Sequence, residues 1–120
     1  MLPKNARLTT SADFARTTKS GTRVSTQNFV GYLYLSPVTN QEHPKCGLIV
    51  NKSVGGSVLR HTLARKIRHS AAPFVATLPT GSLLVIRAIS QVKKTDNVAV
   101  EVETLINRLT EKAQKNSVKQ

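Results

Sequence analysis

GLIVNKSVGGSVLRHTLARKIRH, residues 47–69, changes its hydrophobic rhythm halfway along. The first part belongs to CGLIVN, an apolar run of strand length, and reads as a buried strand. The second part repeats apolar residues every four positions, at Leu59, Leu63 and Ile67, and the period continues to Ala71 just beyond it. That is helical spacing. Between the two, Gly55-Gly56 lets the chain turn tightly into the helix. The helix also carries Arg60, His61, Arg65, Lys66, Arg68 and His69 without a single acidic residue. At roughly 100° per residue, Arg60, Arg68, His61 and Arg65 occupy an arc of about 140° beside the apolar stripe. The apolar residues dock the helix on a core, and the basic ones form a face that the core does not use.

Working outward, Pro73 is expected to end or kink this helix. LPTG reads as a turn and SLLVIRA as a strand. Asp96 can cap a last helix that turns Val98, Val102, Leu105 and Leu109 inward. Upstream, Thr10 stands three residues before Asp13, a capping-box-like start for a short helix in TTSADFARTTKSG. Gly21 is expected to end it as a left-handed residue. NFVGYLYL alternates as a strand, with Phe29, Leu33 and Leu35 on one face and Val30, Tyr32 and Tyr34 on the other. SPVTNQEHP reads as a polar loop. The predicted order is αβββαβα with a four-stranded sheet, an α/β (α+β) two-layer arrangement. Helices covering one face of such a sheet leave the other partly open.

The chain has 120 residues, enough for one domain (1–120) with a single modest core, and 114–120 reads as a flexible tail. Eighteen Lys and Arg against six Asp and Glu give a net charge of +12. Such an imbalance opposes compaction and points to a polyanionic partner. Nucleic acid fits better than a membrane surface, because the basic stretch has no aromatic residue on an apolar face. The single Cys46 lies in an apolar run and reads as a small buried hydrophobe. No Cys/His pattern for structural zinc is present. The start lacks the apolar stretch of a signal peptide, and no run of eighteen apolar residues occurs. A cytoplasmic location is the expectation.

Metal-dependent phosphodiester cleavage needs clustered carboxylates. Asp13, Glu42, Asp96, Glu101, Glu103 and Glu111 are dispersed, and Glu101 and Glu103 point different ways on a helix. These, and His43, His61 and His69, read as solvated surface residues. Binding is better supported, since arginine forks grip phosphates bidentately and a rigid helix gives them fixed register. A phosphate could also sit at the helix N-terminus after Gly55-Gly56. Tyr32 and Tyr34, on the open sheet face, are candidates for stacking unpaired bases or for ordinary cross-strand contacts.

Taken together, these pieces resemble the protein component of bacterial ribonuclease P. GLIVNKSVGGSVLRHTLARKIRH is similar to that family's strand, lysine, glycine and R-N-R-x-K-R-x-x-R helix. ARLTTSADF resembles its N-terminal R-L…D-F segment through Arg7, Leu8, Asp13 and Phe14. NFVGYLYL resembles its F-V-x-Y strand and LPTGSLLVIRA its fourth strand. Arg60, Arg65 and Arg68 match the helix pattern, and Lys66 keeps charge there. His61 replaces an Asn, Thr62 an Arg, Ala64 a Lys, Ser53 a second lysine after Lys52, Gly56 an Asn and Thr18 an aromatic. Three basic side chains of the family pattern are thus absent.

The resemblance implies a ribosomal protein S5 domain 2-like fold with a left-handed βαβ crossover, against the usual hand. It implies a holoenzyme whose RNA subunit, with Mg²⁺ held mainly by that RNA, frees the 5′ leader of precursor tRNA. Its partners would be the catalytic RNA and precursor tRNA, with no membrane and no protein partner. Arg60, His61, Arg65, Lys66 and Arg68 would meet the catalytic RNA, with further contacts from Arg7 and Lys52. Phe14, Val30 and Tyr32 would line a cleft for the single-stranded leader. The protein alone would be inactive. The rivals are a ribosomal or other structural RNA-binding protein, and a stand-alone nuclease.

Overall fold

Strand alternation sorts side chains onto two sheet faces, and here the two faces receive different helices. The computed structural model describes residues 7–8, 10–35, 44–78, 81–89 and 97–118, those at 53 and 114–118 for the backbone alone. The elements are α1 (Ser11–Ser20), β1 (Thr22–Ser25), β2 (Phe29–Leu35), β3 (Lys45–Val50), a 3₁₀ turn (Lys52–Val54), α2 (Ser57–Val75), β4 (Ser82–Ala88) and α3 (Val98–Val118). This is the αβββαβα order that the sequence predicts. The strands form one mixed sheet in the order β1-β2-β4-β3. β2 is antiparallel to β1 and β4, whereas β3 is parallel to β4 and connected to it through α2. The fold is α+β.

Phe29, Leu33, Cys46, Leu84, Ile86 and Ala88 turn to one face of the sheet. There Leu63, Ile67, Ala71 and Val75 of α2 and Val102, Leu105, Ile106 and Leu109 of α3 complete a single core. Each large apolar side chain so buried contributes roughly 1.5–3 kcal/mol. The helical stripe on α2 begins one turn later than its spacing predicts. Leu59 is 57% exposed, while Val75 is 2% exposed. The reason is local: Leu59 folds back on the turn before the helix, where a Cβ on Gly55 would lie 2.9 Å from Leu59 Cδ1. Gly55 has φ 148°, a backbone conformation that L side chains rarely adopt, so the predicted glycine turn is real. Pro73 sits inside the last turn of α2, which ends two residues later at Val75.

Helix ends also depart from expectation. Thr10 caps α1 as predicted, its Oγ1 accepting from Asp13 N at 3.3 Å. Gly21, however, is extended at φ −79° and is not left-handed. Glycine serves there by close approach: a Cβ would lie 2.4 Å from Thr17 O and 3.0 Å from Leu33 O. At α3 the cap is Asn97, whose Oδ1 accepts from Val100 N at 3.2 Å. Asp96 lies outside the described residues, as do the loop at 36–43 with His43 and the turn residues 79–80. α3 runs to Val118, so the backbone is helical through most of the stretch read as a tail.

Glu101 is the main correction to the surface. It is half-buried and accepts from Thr26 Oγ1 at 2.6 Å, Asn28 N at 2.7 Å and Asn28 Nδ2 at 2.9 Å. A residue read as solvated instead fastens the β1–β2 turn to α3.

The opposite sheet face holds Arg23, Val30, Tyr32, Tyr34, Lys45, Gly47, Ile49, Leu83, Val85 and Arg87, by alternation from the core residues. α1 lies on this face. A Cβ on Gly47 would meet Phe14 Cζ at 2.5 Å and Leu8 Cβ at 3.0 Å. The second face is therefore partly covered and partly open, with Arg23 and Arg87 exposed and Tyr32 and Tyr34 half-buried.

Candidate nucleic-acid interface

α2 displays its basic residues in two tiers. His61, Arg65, Lys66 and His69 are exposed, whereas Arg60 and Arg68 are half-buried. Lys66 lies about 100° round from Arg65, outside the arginine arc. Among the described residues, no ion pair engages any of Arg60, Arg65, Lys66 or Arg68. Arg60 Nε is enclosed and has no hydrogen-bond partner among those residues. The helix has no acidic residue along its length and no side-chain cap at Gly56. Ordinary solvated helices intersperse acids with bases. Among the described residues, no acidic side chain pairs with the cations of this one.

Cationic residues extend to the edge of the sheet. Arg7 bridges Cys46 in parallel fashion, and Leu8 N donates to Cys46 O at 3.0 Å. The N-terminal segment thus covers β3, an edge strand, and brings exposed Arg7 beside it. The Cys46 thiol is buried, which pushes its pKa up to about 12, while the positive charge of Arg68 acts in the opposite direction. Arg68 therefore lies near β3 as well. Cys46 itself stays protonated and unreactive at neutral pH, the small buried hydrophobe that its context predicts. Lys52 is exposed in the 3₁₀ turn that follows β3.

Phe14, Val30 and Tyr32 are brought to one face of the sheet. Phe14 and Tyr32 are half-buried on the same side of the sheet. Val30 is only 4% exposed, so it lies beneath that surface and is closed to stacking. Val85, between Tyr32 and Gly47 in the same cross-strand row, is fully covered. Sequence reading missed three cations on this face. Arg23 pairs with Tyr32 across β1–β2, and Arg87 pairs with Val30 across β2–β4. Lys45 pairs with Leu83, which pairs with Tyr34. Alternation within SLLVIRA was the available signal, since it places Arg87 with Leu83 and Val85. Half-buried aromatics flanked by cations form the pattern by which single strands are held.

The described carboxylates do not assemble a metal cage. Both oxygens of Glu101 are taken by Thr26 and Asn28, and no group of three His, Cys, Asp or Glu among the described residues could hold an ion. His61 and His69 are exposed on the helix.

A family model described as Ribonuclease P matches residues 2–114. The ribonuclease P protein component of Mycolicibacterium gilvum is 35% identical over 111 residues, which is 91% of this chain and 90% of that protein. That of Mycobacteroides abscessus is 42% identical over 93 residues, 74% of this chain and 73% of that protein. Among solved structures, the Staphylococcus aureus RNase P protein aligns with a TM-score of 0.69 at 24% identity, covering 92% of this chain and 96% of that one. The Thermotoga maritima RNase P protein aligns at 0.65 and 20% identity, covering 88% and 96%. These two likenesses concern the fold.

Proposed function

The chain belongs to the ribonuclease P protein family and is a subunit of the ribonuclease P holoenzyme; from that premise we propose that it supplies binding and leaves the chemistry to the RNA. The basic face of α2, with no acidic residue in the helix and no ion pair among the described residues, is the observation that carries this reading. Arg60, His61, Arg65, Lys66 and Arg68 grip phosphates of the catalytic RNA, with Arg7 and Lys52 extending the contact along β3. The opposite sheet face holds the single-stranded 5′ leader of precursor tRNA between Phe14 and Tyr32, over the floor of Val30 and Val85. Arg23, Lys45 and Arg87 add charge along its path. On this reading the ions that assist hydrolysis are held by the RNA subunit, and the protein alone does not cleave.

Two surfaces with two ligands can be separated by mutation. Tyr32→Ala should cost about 1–3 kcal/mol for precursor tRNA, the worth of one stacked base. It should cost nothing for mature tRNA, which has no leader, and leave assembly with the RNA subunit unchanged. The test is the reconstituted holoenzyme's affinity for both tRNAs. Equal weakening for the two would remove Tyr32 from leader binding.

A further inference from the structure

We propose that Gly47 is a positioning residue for leader recognition: its missing Cβ seats the Phe14 ring against β3 and so sets where that ring stands relative to Tyr32. The inference rests on the leader-cleft reading above. A Cβ at position 47 would lie 2.5 Å from Phe14 Cζ and 2.7 Å from Phe14 Cε1. Real Cβ atoms essentially never come so close. The ring is therefore in direct contact with backbone that only glycine leaves bare.

Phe14 cannot easily retreat, because α1 is tied to the sheet at both ends. Before the helix, Leu8 N donates to Cys46 O on β3 at 3.0 Å. After it, Gly21 is pressed so closely on β2 that a Cβ would lie 3.0 Å from Leu33 O. The helix thus runs from β3 toward β2 with its length fixed between two backbone contacts. A side chain at 47 leaves the ring one escape, which is to swing sideways off its seat. Gly47, Val85 and Tyr32 share one cross-strand row. At roughly 4.8 Å per strand, the seat of Phe14 and the Cα of Tyr32 stand about 10 Å apart along the sheet. Val85 between them is fully covered. A displaced ring changes this spacing directly, while the residues of the α2 face stay where they are.

The experiment uses holoenzyme reconstituted with a ribonuclease P RNA, and reads the ratio of its affinities for precursor and mature tRNA. Phe14→Ala, Gly47→Ala and the double variant are compared with the wild type, each checked by thermal unfolding. Gly47→Ala should lower the ratio by roughly fivefold or more, as loss of one stacking partner does, with unchanged affinity for mature tRNA and for the RNA subunit. In the double variant the second change should have no further effect, because no ring remains to be displaced. A purely structural defect would instead add to the first. The double variant also removes the clash with the ring, leaving only the 3.0 Å approach to Leu8 Cβ, so it keeps the test valid if Gly47→Ala alone folds poorly. If Phe14→Ala leaves the ratio intact, the leader-cleft reading fails and this inference with it. If Phe14→Ala lowers the ratio and Gly47→Ala does not, or if the two effects add, Gly47 has no positioning role while the cleft stands.

Discussion

Glu101→Ala is expected to destabilise the protein by about 2–4 kcal/mol, measured by urea or thermal unfolding. Removing one partner from a buried polar network costs about 1–3 kcal/mol for each group left unsatisfied, and more where the lost partner is charged. Here the carboxylate accepts three hydrogen bonds, two of them from Asn28, which is 3% exposed. Asn28 is in turn held through its carbonyl, which accepts from Ile89 N at 2.9 Å. The turn between β1 and β2, the end of β4 and the first turns of α3 therefore share one anchor. The half-exposed position of Glu101 keeps the figure below that of a fully buried charge. Glu101→Gln should cost roughly half as much, since the amide oxygen still accepts while its N–H₂ opposes a donor. A loss under about 0.5 kcal/mol for Glu101→Ala, the level of an ordinary surface change, would show that solvent satisfies these donors.

The largest functional effect should come from the triple variant Arg60→Ala, Arg65→Ala, Arg68→Ala. Each lost charged hydrogen bond is worth at most about 1.5–3 kcal/mol, and less where exposed. Taking about 1 kcal/mol each, affinity for the RNA subunit should fall by roughly 100-fold or more. The more diagnostic readout is salt. If each arginine neutralises one phosphate, the log–log slope should become shallower by about 2–3 units. Thr62 and Ala64, uncharged neighbours on the same helix, offer the converse test: Thr62→Arg with Ala64→Lys should steepen the slope. Thr62 is exposed, its hydroxyl donating only to Val58 O, so the gain at that position needs no repacking. A triple variant with native slope would place the RNA elsewhere.

How much of this was legible depended on how local the cause was. α2 announced itself because its apolar and basic residues each keep a helical period within one short stretch. Its first apolar residue, Leu59, was misplaced because period alone does not say that the opening turn packs on Gly55 instead of the sheet. The strands SLLVIRA and NFVGYLYL were readable by alternation, and so was the division of their faces. Glu101 was not readable. Its partners Thr26 and Asn28 lie 75 and 73 residues away, and nothing near it in the chain distinguishes it from a solvated glutamate. α1 was readable as a helix from Thr10 and Asp13, but its polar composition does not say which sheet face it takes. On the face it takes, Phe14 lies against the bare backbone of Gly47. Likewise, alternation puts Val30 on the face of Tyr32 but does not say that packing across that face leaves it only 4% exposed. Charge and period lie within single elements, whereas coverage depends on elements brought together by the fold.

The central claim is that this subunit binds and its RNA partner cleaves. It is tested most directly by assaying precursor tRNA with the purified protein alone, a ribonuclease P RNA alone, and the two together across a Mg²⁺ series. The account predicts no cleavage by the protein alone at any Mg²⁺ concentration. It predicts cleavage by the reconstituted pair at lower Mg²⁺ than the RNA requires by itself, because the cationic face relieves repulsion between phosphates. Cleavage by the nuclease-free protein alone, or an unchanged Mg²⁺ requirement on adding it, would contradict the account.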